Sequence, residues 1–374
     1  MSTTLMTVCT VFAVAIELSG AKWIVASWGG GVRQPRQKTL AHEGLTQRFT
    51  ALLEELAQAR IKLGAPESAR VSVAYEAGQD GFWLERALRE HGIESQVIHP
   101  ASLKVDRRAR RAKTDRLDAR ALVYALYRYL NGERDALSMV RVPSEATEDS
   151  RLWQRQRDRL CSERTARVDR ITKLLRTQGV VPGDHWRRKL REGSVRKFSG
   201  APLGSVMQQT LCLELDLLEG VEAALKQLEK TINEIDQLVA ERIKMLGLMR
   251  GIGKVGARSL ALRLLWRDID NRRQVGALTG LVGTPFASGT IQEDQGISKA
   301  GDPRLRGLLI ELAWLWLRLQ PNSAITQWFL RRTQGAGARG KRVMIVGVAR
   351  RLAIALWKYV KHGLIPEGAR LKVV

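Results

Sequence analysis

Residues 8–28 read VCTVFAVAIELSGAKWIVASW. From Val8 to Ile16 the residues are apolar and rich in β-branched types, a Ser19-Gly20 pair breaks the run, and Ala21 to Trp28 repeats its character. Short apolar runs of this kind, bounded by turn residues, are strands, and two of them across a tight break form a hairpin. The apolar run from Met6 to Ile16 is interrupted by Thr7, Cys9 and Thr10 and has no basic flank before it. It is therefore neither a bilayer span, which needs about 20 apolar residues, nor a secretory signal. It reads as a buried strand of a cytosolic protein with no membrane partner.

Working outward, Leu45, Leu52, Leu53, Leu56 and Ile61 keep helical spacing and predict a helix over 45–63. A strand at 69–75, a helix at 81–91, a strand at 93–98 and a helix at 114–130 follow. A hairpin followed by β-α-β predicts an α/β domain, a mixed sheet with helices packed on it, over residues 1–140. After Pro143 the character changes. Residues 151–196 carry 14 Lys+Arg against 5 Asp+Glu, a local +9, with Val168, Ile171, Leu174 and Leu175 as an apolar stripe. Between 218 and 246, Leu218, Val221, Leu225, Leu228, Ile232, Ile235 and Val239 recur at spacings of three and four, a coiled-coil-like pattern. This predicts an all-α region over 141–246, folded as an antiparallel helical hairpin or used as a seam between subunits. A mainly α unit over 247–374 ends in a basic amphipathic helix, Lys341–His362.

The 374 residues hold 62 Lys+Arg and 38 Asp+Glu, a net charge of +24, and 44% are hydrophobic. The apolar content excludes global disorder and supports more than one core. The charge calls for a polyanionic partner. Cys9, Cys161 and Cys212 are far apart and form no ligand-spaced pair with the five histidines, which excludes a disulfide scaffold and a zinc finger.

Three constellations can carry chemistry. Glu17 ends the first strand, Glu76 ends a later one, and Asp115 and Asp118 sit three apart at the start of a helix. A central sheet brings such elements together, and clustered carboxylates hold Mg2+ in nucleases. Taken singly, acids in a first helical turn also serve the helix dipole, and strand-end acids also sit in solvent. Beside them runs a basic stretch, Lys104, Arg107, Arg108, Arg110, Arg111 and Lys113, suited to phosphates or to a solvated surface. The second constellation, GIGKVG at 251–256, follows a helix, so it is not the dinucleotide fingerprint, and Val255 after Lys254 excludes a Walker loop. It reads as a helix-hairpin-helix in which Gly251, Gly253 and Lys254 meet a DNA phosphate, or as a plain turn between helices. In the third, Ser288 stands in a glycine-flanked turn, followed by Lys299, Arg304 and Arg306, which offset charge on a phosphorane if Ser288 is a nucleophile. Ser-Gly is equally an ordinary turn pair.

These blocks together resemble a known family. Glu17-Leu18-Ser19 with Lys22, Tyr75-Glu76-Ala77-Gly78, His99-Pro100, KTDRLDAR, GIGKVGARSLA, GLVGTPFASG, GISKAGDPRLR and the terminal GKRVMIVGVARRLAIALWKYVKHG are similar to insertion-sequence transposases. That family has an N-terminal RuvC-like (RNase H fold) DEDD domain and a C-terminal serine domain, and includes bridge-RNA-guided DNA recombinases. The resemblance implies that Glu17, Glu76, Asp115 and Asp118 bind Mg2+, with Glu17 standing where the family usually has Asp. It implies that Ser288 is the nucleophile, forming a transient phosphoserine bond with DNA. It further implies donor and target double-stranded DNA and a guide RNA as partners, and a homo-oligomer, dimer or tetramer, whose composite site draws on two subunits. The rival readings are a metal-dependent Holliday-junction-type nuclease using water, and a non-catalytic nucleic-acid scaffold.

Overall fold

The structure, a computed structural model, describes residues 11–29, 32–102, 114–231, 237–288 and 291–372. The chain forms two compact units that divide between Val142 and Pro143.

The first unit contains β1 (Val11–Leu18), β2 (Trp23–Trp28), β3 (Arg36–Leu40), α1 (Leu45–Lys62), β4 (Arg70–Glu76), α2 (Trp83–Glu90), β5 (Glu94–Ile98) and α3 (Asp115–Leu130). The five strands lie in the order β3-β2-β1-β4-β5. β1, β2 and β3 form an antiparallel meander, whereas β4 and β5 run parallel to β1. The expected hairpin is present over 11–28, with Ile16 opposite Val25, and residues 8–10 lie outside the described residues. β3 was not expected: of its residues RQKTL only Leu40 is buried, so this edge strand carries almost no apolar signal.

Alternation along β1 assigns its two faces. Phe12, Val14 and Ile16 pack with Leu52, Leu56 and Ala59 of α1 and with Leu84 and Leu88 of α2. Val11, Ala13 and Ala15 pack with Ala119, Leu122, Val123 and Leu126 of α3. A strand buried on both faces must be apolar throughout, which is why its sequence shows no polar alternation. Ala13, Ala15, Ala26 and Ala74 form the face under α3, and their small side chains leave that helix a flat bed.

The second unit is mostly helical: α4 (Glu145–Thr177), α5 (Trp186–Arg191), α6 (Ser205–Lys230), α7 (Gln237–Leu248), α8 (Lys254–Leu260), α9 (Arg272–Thr279), the strands β6 (Gly283–Ser288) and β7 (Ile291–Ile297), α10 (Pro303–Leu319), α11 (Ala324–Arg332) and α12 (Ala338–His362). α4 and α6 are antiparallel. Trp153, early in α4, donates its indole N–H to the Leu228 carbonyl late in α6 at 2.8 Å, while Arg167 and Arg170 further along α4 reach Glu214. Ile171, Leu175, Leu211, Leu215 and Leu218 fill the seam. The stripe expected over 218–246 does not lie on one helix: α6 stops at Lys230, where the Thr231 hydroxyl donates to the Leu228 carbonyl at 2.8 Å. A side-chain bond of this kind competes with continuation of the helix. Ile232 and Ile235 of that stripe lie outside the described residues. Residues on both sides of 246 belong to this one unit. Its largest core gathers Leu260, Leu264, Leu305, Leu309, Trp316, Val348, Leu352 and Leu356. No described helix is long and apolar enough to cross a membrane.

Candidate active site

Glu17 follows Val11, Ala13 and Ala15 in the alternation of β1 and so faces α3, and Glu76 follows Ala74 in β4 and faces the same way. β1 and β4 run parallel with Ile16 against Tyr75. One residue further along each strand stand the two acids, on neighbouring strands about 4.8 Å apart. Asp115 and Asp118 occupy the first turn of α3. Residues 115, 118, 122 and 126 share one helical face, and Leu122 and Leu126 are buried against the sheet. Asp118 is half-buried there and Asp115 is exposed. All four carboxylates thus belong to one face of the sheet at the carboxyl ends of its parallel strands, the end at which open α/β sheets place ligands.

Neighbouring residues fix this arrangement. The Thr114 hydroxyl caps α3 by accepting from the Leu117 amide at 3.3 Å. Lys22 Nζ lies 3.8 Å from Asp115 Oδ2 with both side chains about half exposed, a weak pair. The turn carrying Lys22 is closed by Ser19, whose hydroxyl donates to the Lys22 carbonyl at 2.6 Å. Two positioning residues are not evident from sequence. Arg48 of α1 is buried and donates to the Gly20 carbonyl at 2.9 Å and the His42 carbonyl at 2.7 Å, clamping the turn after β1. Gln37, on the unexpected strand β3, donates to the Arg116 carbonyl at 2.6 Å and ties down the first turn of α3. Their only sequence signal is a cationic residue inside the amphipathic α1 and an amide within the polar strand β3.

Among the described residues, no three His, Cys, Asp or Glu side chains converge tightly enough as they stand to enclose a metal ion. The donor set nevertheless fits a hard cation: it consists entirely of carboxylate oxygens, on one face and at one end of the sheet. Lys104, Arg107, Arg108, Arg110, Arg111 and Lys113 lie outside the described residues.

Ser288 ends β6 and pairs with Ile291 of β7, so the expected turn is the tip of a β-hairpin, and Ser288 is exposed there. Gly289 lies outside the described residues. The strand GTPFAS was hidden in the sequence because glycine and proline are poor strand formers. After β7 the chain returns to the helical body. Lys299 takes a left-handed conformation (φ 55°) and its amide donates to the Gly280 carbonyl at 3.2 Å. Arg306 donates to the Ala300 carbonyl at 3.2 Å, and Arg304 lies 3.4 Å from Asp158. Both guanidiniums therefore brace their own surroundings. Asp302 caps α10, accepting from the Arg304 and Leu305 amides, and pairs with Arg263. Burial raises the Asp302 carboxyl, but the Arg263 bond and charge and the two amides outweigh it and hold it below the usual carboxylate range.

At GIGKVG, α7 ends at Leu248, Gly251 turns with φ 96°, Ile252 is buried, and α8 starts at Lys254 with Gly253 as its cap. Gly253 and Lys254 are exposed. A helix, a turn and a second helix follow one another here, with α7 ending two residues before Arg250.

Known proteins share both parts of the chain. Residues 32–179 match a family described as "Transposase", of the DEDD type, and residues 244–328 match "Transposase IS116/IS110/IS902 family". The first match contains Glu76, Asp115 and Asp118 but starts beyond Glu17. A putative transposase, y4rJ, of Sinorhizobium fredii is 41% identical, with the alignment covering 96% of this chain and 94% of the relative. A probable family 20 transposase of Pseudomonas aeruginosa is 30% identical over 76% of this chain and 82% of the relative. The transposase for insertion sequence element IS1111A of Coxiella burnetii is 29% identical over 64% of each. With a RuvC-like carboxylate face in the first unit and a 41% identical relative aligned along 96% of its length, the chain belongs to the IS110 family of insertion-sequence transposases.

Proposed function

We propose that this transposase cuts and rejoins DNA through a covalent bond between Ser288 and a backbone phosphate, assisted by a divalent cation, Mg2+, at Glu17, Glu76, Asp115 and Asp118. The observation that carries the reading is the common face and common sheet end of those four carboxylates. Mg2+ bound by them supplies positive charge that stabilises a phosphate gaining negative charge. Ser288 Oγ loses its proton and bonds to phosphorus while the bond from phosphorus to one deoxyribose oxygen breaks, and that oxygen takes up a proton. In rejoining, a deoxyribose hydroxyl attacks the same phosphorus and Ser288 Oγ leaves with a proton. The number of phosphodiester bonds is unchanged, so no ATP is consumed. Glu17, one methylene longer than Asp, would hold the cation through a carboxylate on a longer side chain. Different copies of the chain in a homo-oligomer contribute the carboxylates and Ser288.

The further reading is that an RNA encoded beside the gene guides the choice of DNA, since base pairing then reads sequence and the protein neutralises phosphates; the net charge of +24 fits RNA and DNA alike. GIGKVG, with Gly251, Gly253 and Lys254, contributes a phosphate contact that reads no sequence.

The test incubates the full chain with DNA spanning the element's ends, with and without RNA transcribed from its flank, and looks for a protein–DNA adduct that survives denaturation. Wild type with RNA is expected to give the adduct, Ser288→Ala none, and Glu76→Gln or Asp118→Asn less than about 1% of it, about 2.7 kcal/mol or more of transition-state stabilisation. Cut ends without any adduct would replace Ser288 by water as the nucleophile. Equal adduct without RNA would remove the guide.

A further inference from the structure

Several arginines along α4, α5 and α6 are matched by carboxylates: Arg167 and Arg170 with Glu214, Arg187 with Glu222, Arg191 with Asp216 and Glu219. Four others surround a cleft of about 430 Å³ lined by Arg272 and Arg273 of α9, Trp328 of α11, and Gly347, Arg350 and Arg351 of α12. No carboxylate among the described residues pairs with any of these four arginines. Like charges gathered around one cleft repel unless an anion offsets them.

The cleft also has a flat element. The Arg351 guanidinium lies over the Trp328 indole, 4.1 Å from its centroid. Gly347 lets the indole lie against α12, since a Cβ there would come within 3.1 Å of Trp328 Cη2. A guanidinium stacked on an indole is a cationic plate, and both surfaces are ones on which nucleic-acid bases stack. The α9 amides do not supply the anion contact, because Asn271 already accepts from the Arg273 and Gln274 amides. The arginine side chains must make it.

We propose that this cleft binds single-stranded nucleic acid, with Arg272, Arg273 and Arg350 on successive phosphates and one base stacked on the Arg351–Trp328 plate. A duplex keeps its base faces inside its own stack, whereas a single strand offers them. The cleft volume lies in the range of small-ligand sites, roughly 300–1,000 Å³, and so admits a nucleotide unit of a strand. Its lining shares no residue with Ser288 or with the four carboxylates. Its occupant is an unpaired segment of either RNA or DNA, which share this chemistry.

The full chain is titrated by fluorescence anisotropy with a labelled single-stranded DNA, the RNA of the same sequence and the corresponding DNA duplex, at several salt concentrations. Arg272→Gln/Arg273→Gln/Arg350→Gln is expected to weaken single-strand binding at least tenfold. It is also expected to flatten the slope of log K against log salt by about 2, at roughly 0.7 for each phosphate that the protein no longer neutralises. Trp328→Leu, and independently Arg351→Lys, is expected to weaken it about fivefold with the slope unchanged, because stacking releases no counterions. Duplex affinity stays at the wild-type value in all of them, and the arm that loses more, RNA or DNA, names the source. An unchanged slope in the triple variant, or an equal loss on the duplex, overturns the proposal. So does displacement of the strand by adenosine monophosphate from wild type and variants alike. Ser288→Ala is expected to bind strands like wild type, so the cleft and the nucleophile succeed or fail separately.

Discussion

At Gly280 and Gly301 two stretches of backbone approach too closely for any side chain. Gly280 ends α9 with φ 65°, and a Cβ there would lie 1.9 Å from the Ala300 carbonyl oxygen. Gly301 has φ 78°, and its Cβ would lie 2.2 Å from the Leu278 carbonyl oxygen. The contact fixes the loop that carries Lys299 and the cap Asp302, and so anchors the hairpin that presents Ser288. Neither obstacle is a flexible side-chain end that can swing aside. Gly280→Ala therefore meets a steric and a conformational penalty at once, about 2 kcal/mol or more. This predicts a melting temperature lower by several degrees, at about 2–4 °C per kcal/mol for a unit of this size, and a weaker Ser288 adduct. A variant melting with wild type would show that the loop is not fixed by this contact.

Between α4 and α6 a polar tie is made by Glu214 of α6, largely buried and bonded at 2.8 Å by both Arg167 and Arg170 of α4. Burial raises its carboxyl, and the two arginine bonds and charges outweigh that and hold it below the usual range. A carboxyl lowered on folding stabilises fully above its unfolded value, and that contribution is lost as pH falls through the lower folded one. The seam is thus expected to weaken below about pH 4, and Glu214→Gln to be less stable by about 1–3 kcal/mol at neutral pH with a flatter acid limb in urea midpoints. A parallel acid limb in the variant would move the effect elsewhere. The apolar half of this seam was legible, because Ile171 and Leu175 repeat at helical spacing, but its polar half joins residues 44 and 47 apart and left no local pattern. The same contrast holds for strands. β1 and β4 are buried on both faces and announce themselves as apolar runs, whereas β3 is a polar edge and β6 a glycine- and proline-bearing hairpin arm. The four acids proposed to hold a cation were legible because they stand at the ends of the strongly signalled elements. Arg48 and Gln37, which position those elements, act through backbone carbonyls whose approach only the fold creates.

On the scale of the molecule, each unit closes its own cores. One side of the first sheet packs on α1 and α2 and the other on α3, while the C-terminal helices converge on Trp316 and Leu352. Separate cores permit separate unfolding transitions. The carboxylates all belong to the first unit and Ser288 to the second. A cation held at Glu17, Glu76, Asp115 and Asp118 binds only the folded first unit and stabilises it by RT ln(1 + [L]/Kd), about 2.7 kcal/mol at a hundredfold excess over Kd. Calorimetry of the full chain is therefore expected to show one transition rising with added Mg2+ and the other fixed. Glu76→Gln/Asp118→Asn is expected to abolish the rise, while Ser288→Ala keeps it. Glu17→Asp tests reach: if the shorter side chain draws the cation closer to β1, the same Mg2+ concentration produces a larger rise than in wild type. If neither transition moves with Mg2+ in any of these proteins, the four acids are not a cation site. Their common face then has to be explained by the packing of α3 on the sheet alone.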